Sequence, residues 1–253
     1  MKRYLICTIL FILFFGHYST GQSLSDNKSV TLDGYVKYMN TIMDPPDDIA
    51  AFLAMPAGGW INESMFHNRL NLRWYATSNL TAALEVRNRL IYGDFVETFP
   101  GYADMIENDM GYFDELTQNI IDEDAYLLNT SIDRMWVNYR KGKFEAKIGR
   151  QRINWGQAYV WNPNDIFNAY SFFDFDYEER PGSDAIRLKY FPTFTSAAEF
   201  AVKVNQEKEI TAAGYYRFNQ WNYDFQVLGG ILNEEDYAAG IGWSGNIKDA
   251  GFN

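Results

Sequence analysis

The sequence predicts an all-β chain: a transmembrane, antiparallel, up-and-down β-barrel with short turns at one end and long loops at the other. Three observations carry this. Apolar and polar residues alternate with period two in segment after segment, as half-buried strands require. The connections between those segments alternate between short and long. Aromatics make up 17% of the chain and mean hydropathy is negative, yet no apolar run beyond the N-terminus could span a bilayer as a helix.

The N-terminus has the three parts of an export signal over residues 1–21: Lys2 and Arg3, an apolar run from Leu5 to Phe15, and the small residues Ser19 and Gly21. The apolar run is shorter than the roughly 18 residues of a spanning helix. Cys7, the only cysteine, lies within it, so residues 22–253 carry no thiol chemistry. Removing Lys2 and Arg3 takes the formal charge from -11 to -13. That acidic balance excludes nucleic acid as a partner.

From Val30 to Tyr38 the alternation is weak. From Phe66 to Trp74 it is clear: Phe66, Asn68, Leu70, Leu72 and Trp74 on one face, His67, Arg69, Asn71 and Arg73 on the other. The next segment sets Leu80, Leu84, Val86, Leu90 and Tyr92 against Thr81, Glu85, Arg87 and Arg89. Met135, Val137 and Tyr139 then oppose Arg134, Trp136 and Asn138. Phe144, Ala146 and Ile148 oppose Glu145 and Lys147; Ile186, Leu188 and Tyr190 oppose Arg187 and Lys189. Ala198, Phe200 and Val202 oppose Glu199 and Lys203, and Tyr223, Phe225 and Val227 oppose Asp224 and Gln226. Residues 211–218 form a weaker member.

A soluble sandwich also alternates, so the connections decide. Those at 77–79, 141–143, 192–194 and 219–221 are short. Those at 41–62, 93–124, 149–183, 205–209 and 233–236 are longer or more polar. Tight periplasmic turns and long outer loops are expected of a barrel that closes in lipid, where the outward parity is apolar and the lumen polar. Arg69, Arg73, Glu85, Arg87, Arg89, Arg134, Arg187 and Lys189 are then lumen-facing, and Trp74, Tyr92, Tyr139 and Tyr190 belong to interfacial girdles. About ten strands are countable, and the ending on Asn253 rather than an aromatic residue suggests the N-terminal portion of a larger barrel.

From Gly93 to Asp124 there are ten acids and no Lys or Arg. Acids reaching from the outer loops toward a cationic wall would set a transverse field in a wet lumen. Catalytic signals are weak. The glycines Gly240, Gly242 and Gly245 match a dinucleotide spacing, but no βαβ unit surrounds them. His67 is the only histidine after residue 21, too few for zinc or triad chemistry. Asp174, Asp176 and Glu178 share one parity and are the only carboxylate set to suggest hydrolysis. Asp122 to Asp124 lack the spacing of a calcium loop. No metal or cofactor is expected.

The run Ile148 to Phe191 holds a "GRQ" (Gly149, Arg150, Gln151), a "WG" (Trp155, Gly156), an "NP" (Asn162, Pro163) and an "RPG" (Arg180, Pro181, Gly182). In these elements the chain resembles the porin-like outer-membrane barrels of Gram-negative bacteria, those of the Bacteroidetes type in particular. The resemblance implies a cofactor-free channel in the cell outer membrane for small polar solutes, passive or substrate-selective, with membrane lipid as its surroundings. Oligomeric state is left open, a homo-oligomer being one option. The third outer loop would form the constriction, through Gly149, Arg150, Gln151, Arg152, Trp155, Gly156, Trp161, Asn162, Pro163 and Arg180. Arg150 continues the lipid-facing parity of its strand, which places it at the rim or out of register. Two other readings stay open: an enzyme acting on glycans or lipids through Asp174, Asp176 and Glu178, and a structural or adhesive surface protein.

Overall fold

A computed structural model describes residues 29–45, 51, 60–109, 111–113, 116–156, 164–167, 181–248 and 250–252. Twelve strands form one antiparallel sheet. They are β1 (Val30–Met43), β2 (Ile61–Tyr75), β3 (Leu80–Gly93), β4 (Thr117–Glu123), β5 (Tyr126–Lys141), β6 (Phe144–Gln151), β7 (Ser183–Tyr190), β8 (Ala197–Val204), β9 (Ile210–Gln220), β10 (Tyr223–Leu232), β11 (Asp236–Ile247) and β12 (Ala250–Phe252). Two short helices, α1 (Asp94–Thr98) and α2 (Tyr102–Glu107), lie between β3 and β4.

Each strand pairs with the next in up-and-down order, except that β3 pairs directly with β5 and β4 attaches to β5 alone. Among the described residues the ends of the order, β1 and β12, do not pair with each other, so the sheet described is open. It is nevertheless curled. Met39 and Thr41 of β1 line the same cavity, of about 240 Å³, as Lys203 and Val204 of β8. Six steps of strand order separate them, about 29 Å in a flat sheet at about 4.8 Å per step.

The two strands beyond the expected ten are β4 and β12. β4 lies in the acidic segment read as loop. It forms because β5 runs on past the end of β6: β6 pairs with Met135 to Lys141, while β4 takes the half of β5 from Tyr126 to Ser131. Without β4, that half would present an unpaired edge.

The alternation holds across β2 and β3 but changes phase within β5. Glu85 pairs with Arg134 and Val86 with Ile132, leaving Asp133 as the extra residue of a β-bulge. Two consecutive charged side chains, Asp133 and Arg134, therefore turn to the same face, and both are buried. Below the bulge Met135, Val137 and Tyr139 are on the exposed face.

The buried apolar clusters sit on the concave, polar face beneath folded-in loops. Ile91 and Leu127 pack with Tyr102 of α2, with Phe95 and Phe99 beside them. Ile153, Trp155 and Phe167 pack on Ala185, Ala201, Ala213 and Leu228. On the opposite, convex face the apolar side chains are exposed, Ile148, Ile186 and Ile241 among them.

Candidate functional site

The concave face is organised by ion pairs between neighbouring strands. Arg69 on β2 reaches Glu85 on β3 at 2.7 Å and the bulge residue Asp133 on β5 at 2.5 Å. Its Nε donates to Asn71 Oδ1 at 3.1 Å. Arg134 donates from Nη1 to Asp133 Oδ1 and to the Asp133 carbonyl, both at 3.0 Å. Asp133 thus joins two arginines that the register alone would separate. Arg73 lies farther out, 3.9 Å from Glu85, with half its side chain exposed. Arg89 donates to Asn129 Oδ1 at 3.0 Å and to the Ile106 carbonyl at 3.4 Å, tying β3 to β5 and to α2. Arg87 is buried and lines the cavity beside it. Arg187 and Lys189, on β7, both bind Glu199 of β8, at 3.0 and 2.9 Å.

The counter-charges of Arg69, Arg134, Arg187 and Lys189 come from the sheet itself, which the expectation of acids reaching in from loops did not contain. One loop acid, Asp109, does reach across. It pairs with Arg150 at 2.5 Å.

Arg150 is neither at a lipid-facing rim nor in a constriction loop. It is the penultimate residue of β6 and is buried. Its Nε donates to Asp184 Oδ1 at 2.9 Å and its Nη2 to Asp184 Oδ2 at 2.8 Å, a two-pronged pair across the β6–β7 register. Nη2 also donates to the Phe113 carbonyl, and the Phe113 N–H donates to Asp184 Oδ2. The physical reason is a step in the wall. β6 and β7 stop here while β5 continues, and Asp109 and residues 111–113 lie across the step, with Gly111 bridging to Asn205 after β8. A Cβ on Gly111 would collide with the Arg150 guanidinium and the Asp184 carboxylate. Gly149, at φ 113°, supplies the backbone turn just before Arg150.

Residues 152–156 and 164–167 pack onto the concave face of β7 to β10. Trp155 stacks on Tyr215 (centroids 5.2 Å apart, planes 13° apart) and meets Phe167 edge-on at 4.9 Å. Its indole N–H donates to Glu199 Oε2 at 3.1 Å, so a buried ring keeps its polar atom satisfied. Room for these rings comes from small residues at the inward parity: Ala185, Ala201 and Ala213. Farther along, Asn164 lies where a Cβ on Gly240 would be, which accounts for that glycine better than any nucleotide motif. Gln151 straps the strand end by donating from Nε2 to the carbonyls of Lys147 and Ala185, each at 3.1 Å. Arg152 offers its carbonyl to Arg187 Nη1 at 3.4 Å. The Gly156 N–H donates to Asn154 Oδ1 at 2.9 Å. Trp161, Asn162, Pro163 and Arg180 lie outside the described residues, as do Asp174, Asp176 and Glu178.

The convex face has a different chemistry. Aromatics stand exposed near both ends of the strands: Trp74, Tyr139, Phe144, Tyr190 and Trp243 toward the short turns, and Tyr38, Phe66, Tyr92 and Tyr126 toward the long connections. Val137, Ile148, Ile186, Phe200 and Val227 lie between, also exposed. One polar rung crosses this face and satisfies itself. Asn88 donates to Asn68 Oδ1 at 3.2 Å and accepts from Thr130 Oγ1 at 2.9 Å, while Asn68 donates to the Tyr35 carbonyl.

Sequence reasoning missed Asp133, Asp184, Glu199 and Tyr215. A usable signal existed for one: Glu199 shares the inward parity of Lys203, next to a strand carrying Arg187 and Lys189. Asp133 needed the bulge and Asp184 the wall step, both of them long-range. Among the described residues no group of three or more His, Cys, Asp and Glu could hold a metal ion. A scan against models of known protein families finds no match, and neither does a search of characterised proteins.

Proposed function

We propose that this chain forms a membrane-embedded β-barrel channel of an outer membrane, passing small polar solutes through a lumen lined by the concave face. The carrying observation is the pairing of two opposite faces on one sheet: an exposed convex face of aliphatic residues between aromatic rows, and a concave face of arginines and acids. A soluble monomer rarely leaves an apolar patch of more than a few hundred Å² uncovered, and this one runs across the sheet from β1 to β11. Lipid is the surrounding that makes both faces favourable. The self-satisfied rung of Asn68, Asn88 and Thr130 supports the same reading, because in a bilayer no water would complete those hydrogen bonds. Closure requires the free edges of β1 and β12 to be joined, directly or through further strands. Residues 152–156 and 164–167, packed on β7 to β10, narrow the lumen as the constriction. The cavity is bordered by Arg87, Arg89, Asp133 and the Arg150 cluster, and has the mixed charge suited to polar solutes.

Full-length protein refolded into liposomes and planar bilayers tests the proposal. Discrete conductance steps and solute flux are expected. Protein that inserts but carries neither would refute it.

A further inference from the structure

Like charges rarely face each other directly across a strand pair, because at that spacing they repel. Lys147 of β6 and Arg187 of β7 do so. Both are on the concave face in the half of the sheet nearer the short turns, where Lys189 follows Arg187 at the same parity. Arg73 of β2 lies in one row with Ala83 of β3 and Trp136 of β5, and it is over the Trp136 ring that the Lys147 ammonium sits. Two acids stand near this cluster. Glu199 is engaged by Arg187, Lys189 and the Trp155 indole, and Glu145 lies opposite Lys189 in the register. Lys147 makes no ion pair among the described residues; its ammonium lies 4.1 Å from the centre of the Trp136 ring. With Glu85, which Arg73 shares with Arg69, four cations have three acids at a part-exposed position, and none of these acids is paired with Lys147. Elsewhere on this face, by contrast, Arg69 and Arg150 each have two carboxylates.

The geometry points to an oxyanion subsite at the short-turn end of the lumen, held by Lys147 and Arg73 with Arg187 and Lys189 behind them, for a small solute bearing a carboxylate or a phosphate. An ammonium without an ion pair among the described residues can turn to an arriving oxyanion, and Arg73 has half its side chain exposed. This inference rests on the concave face being a solute path.

Isothermal titration of inorganic phosphate, and in a second arm of acetate, into detergent-solubilised full-length protein tests the subsite without requiring conduction. Saturable binding of at least one of them is expected, weakened about tenfold by Lys147→Gln and similarly by Arg73→Gln. Lys141→Gln, at the turn end of β5, should leave it unchanged. Stronger binding in the phosphate arm assigns a phosphate-bearing solute, and in the acetate arm a carboxylate. Arg73→Gln removes a half-exposed side chain, so it reports even if Lys147→Gln fails to fold. No saturable binding of either anion, or binding indifferent to both substitutions, overturns the subsite. Conductance in bilayers is read separately: binding without conductance would remove the channel reading and leave the subsite standing.

Discussion

Arg150 and Asp184 face each other across β6 and β7 and are joined by two parallel hydrogen bonds, Nε to Oδ1 at 2.9 Å and Nη2 to Oδ2 at 2.8 Å. Both side chains are almost wholly buried. Arg150 also pairs with Asp109, so removing Arg150 leaves two buried carboxylates without their cation, which costs about 3–5 kcal/mol, whereas removing Asp184 leaves Arg150 one carboxylate. Arg150→Met should lower the urea midpoint strongly and Asp184→Leu less, and adding Asp184→Leu to Arg150→Met should recover part of the loss, with Asp109 still left without its cation. Equal and additive losses would mean that the pair is not coupled.

Gly111 lies against that pair. Gly111→Val should dislodge the segment and expose it to protease, with cleavage between 109 and 123. Gly214→Ala, whose added Cβ would meet no atom closer than 4.0 Å, should leave the digestion pattern unchanged.

Trp155 fills the space over Ala201 and Ala213. Trp155→Ala should cost about 3–5 kcal/mol through the cavity left behind. If residues 152–156 form the constriction, it should also raise single-channel conductance. Stability lost with conductance unchanged would place the narrowest point elsewhere.

Ile186 is half exposed and lies in a row with Ile148 and Val202. In water, Ile186→Arg would be close to neutral, as surface changes are. Facing lipid, it should cost about 2–4 kcal/mol near the bilayer midplane. Unfolding from phospholipid vesicles distinguishes the two.

Period-two alternation was legible in β2, β3, β6 and β7 because the two faces of those strands differ in chemistry, charged against aliphatic. The short connections at one end were legible because turns of two to six residues leave little room for other structure. What could not be read depended on partners distant in sequence. Thr117–Glu123 is acidic and amide-rich, a poor strand by propensity, and is a strand because β5 outruns β6 and offers an edge. Asp133 leaves no local mark, since the phase change it causes is visible only when β5 is paired with β3. Strand parity left Arg150 open between the rim and a break in register; the end of β7 and the pairing with Asp109, which put it under cover, are long-range. Trp155 and Gly156 stood out in composition, but the alanines that receive the indole lie on three strands, too far apart in sequence to be seen as one surface.

The central claim is that one face of this sheet meets lipid and the other water, and β7 offers the shortest test. Cys7 is the only cysteine in the sequence, so in a Cys7→Ser background single cysteines at Ile186, Arg187, Leu188, Lys189 and Tyr190 can be spin-labelled without interference. In phospholipid vesicles, collision with oxygen should be high at 186, 188 and 190, and collision with a water-soluble nickel chelate high at 187 and 189. Uniform access of the nickel chelate along all five positions would contradict the account.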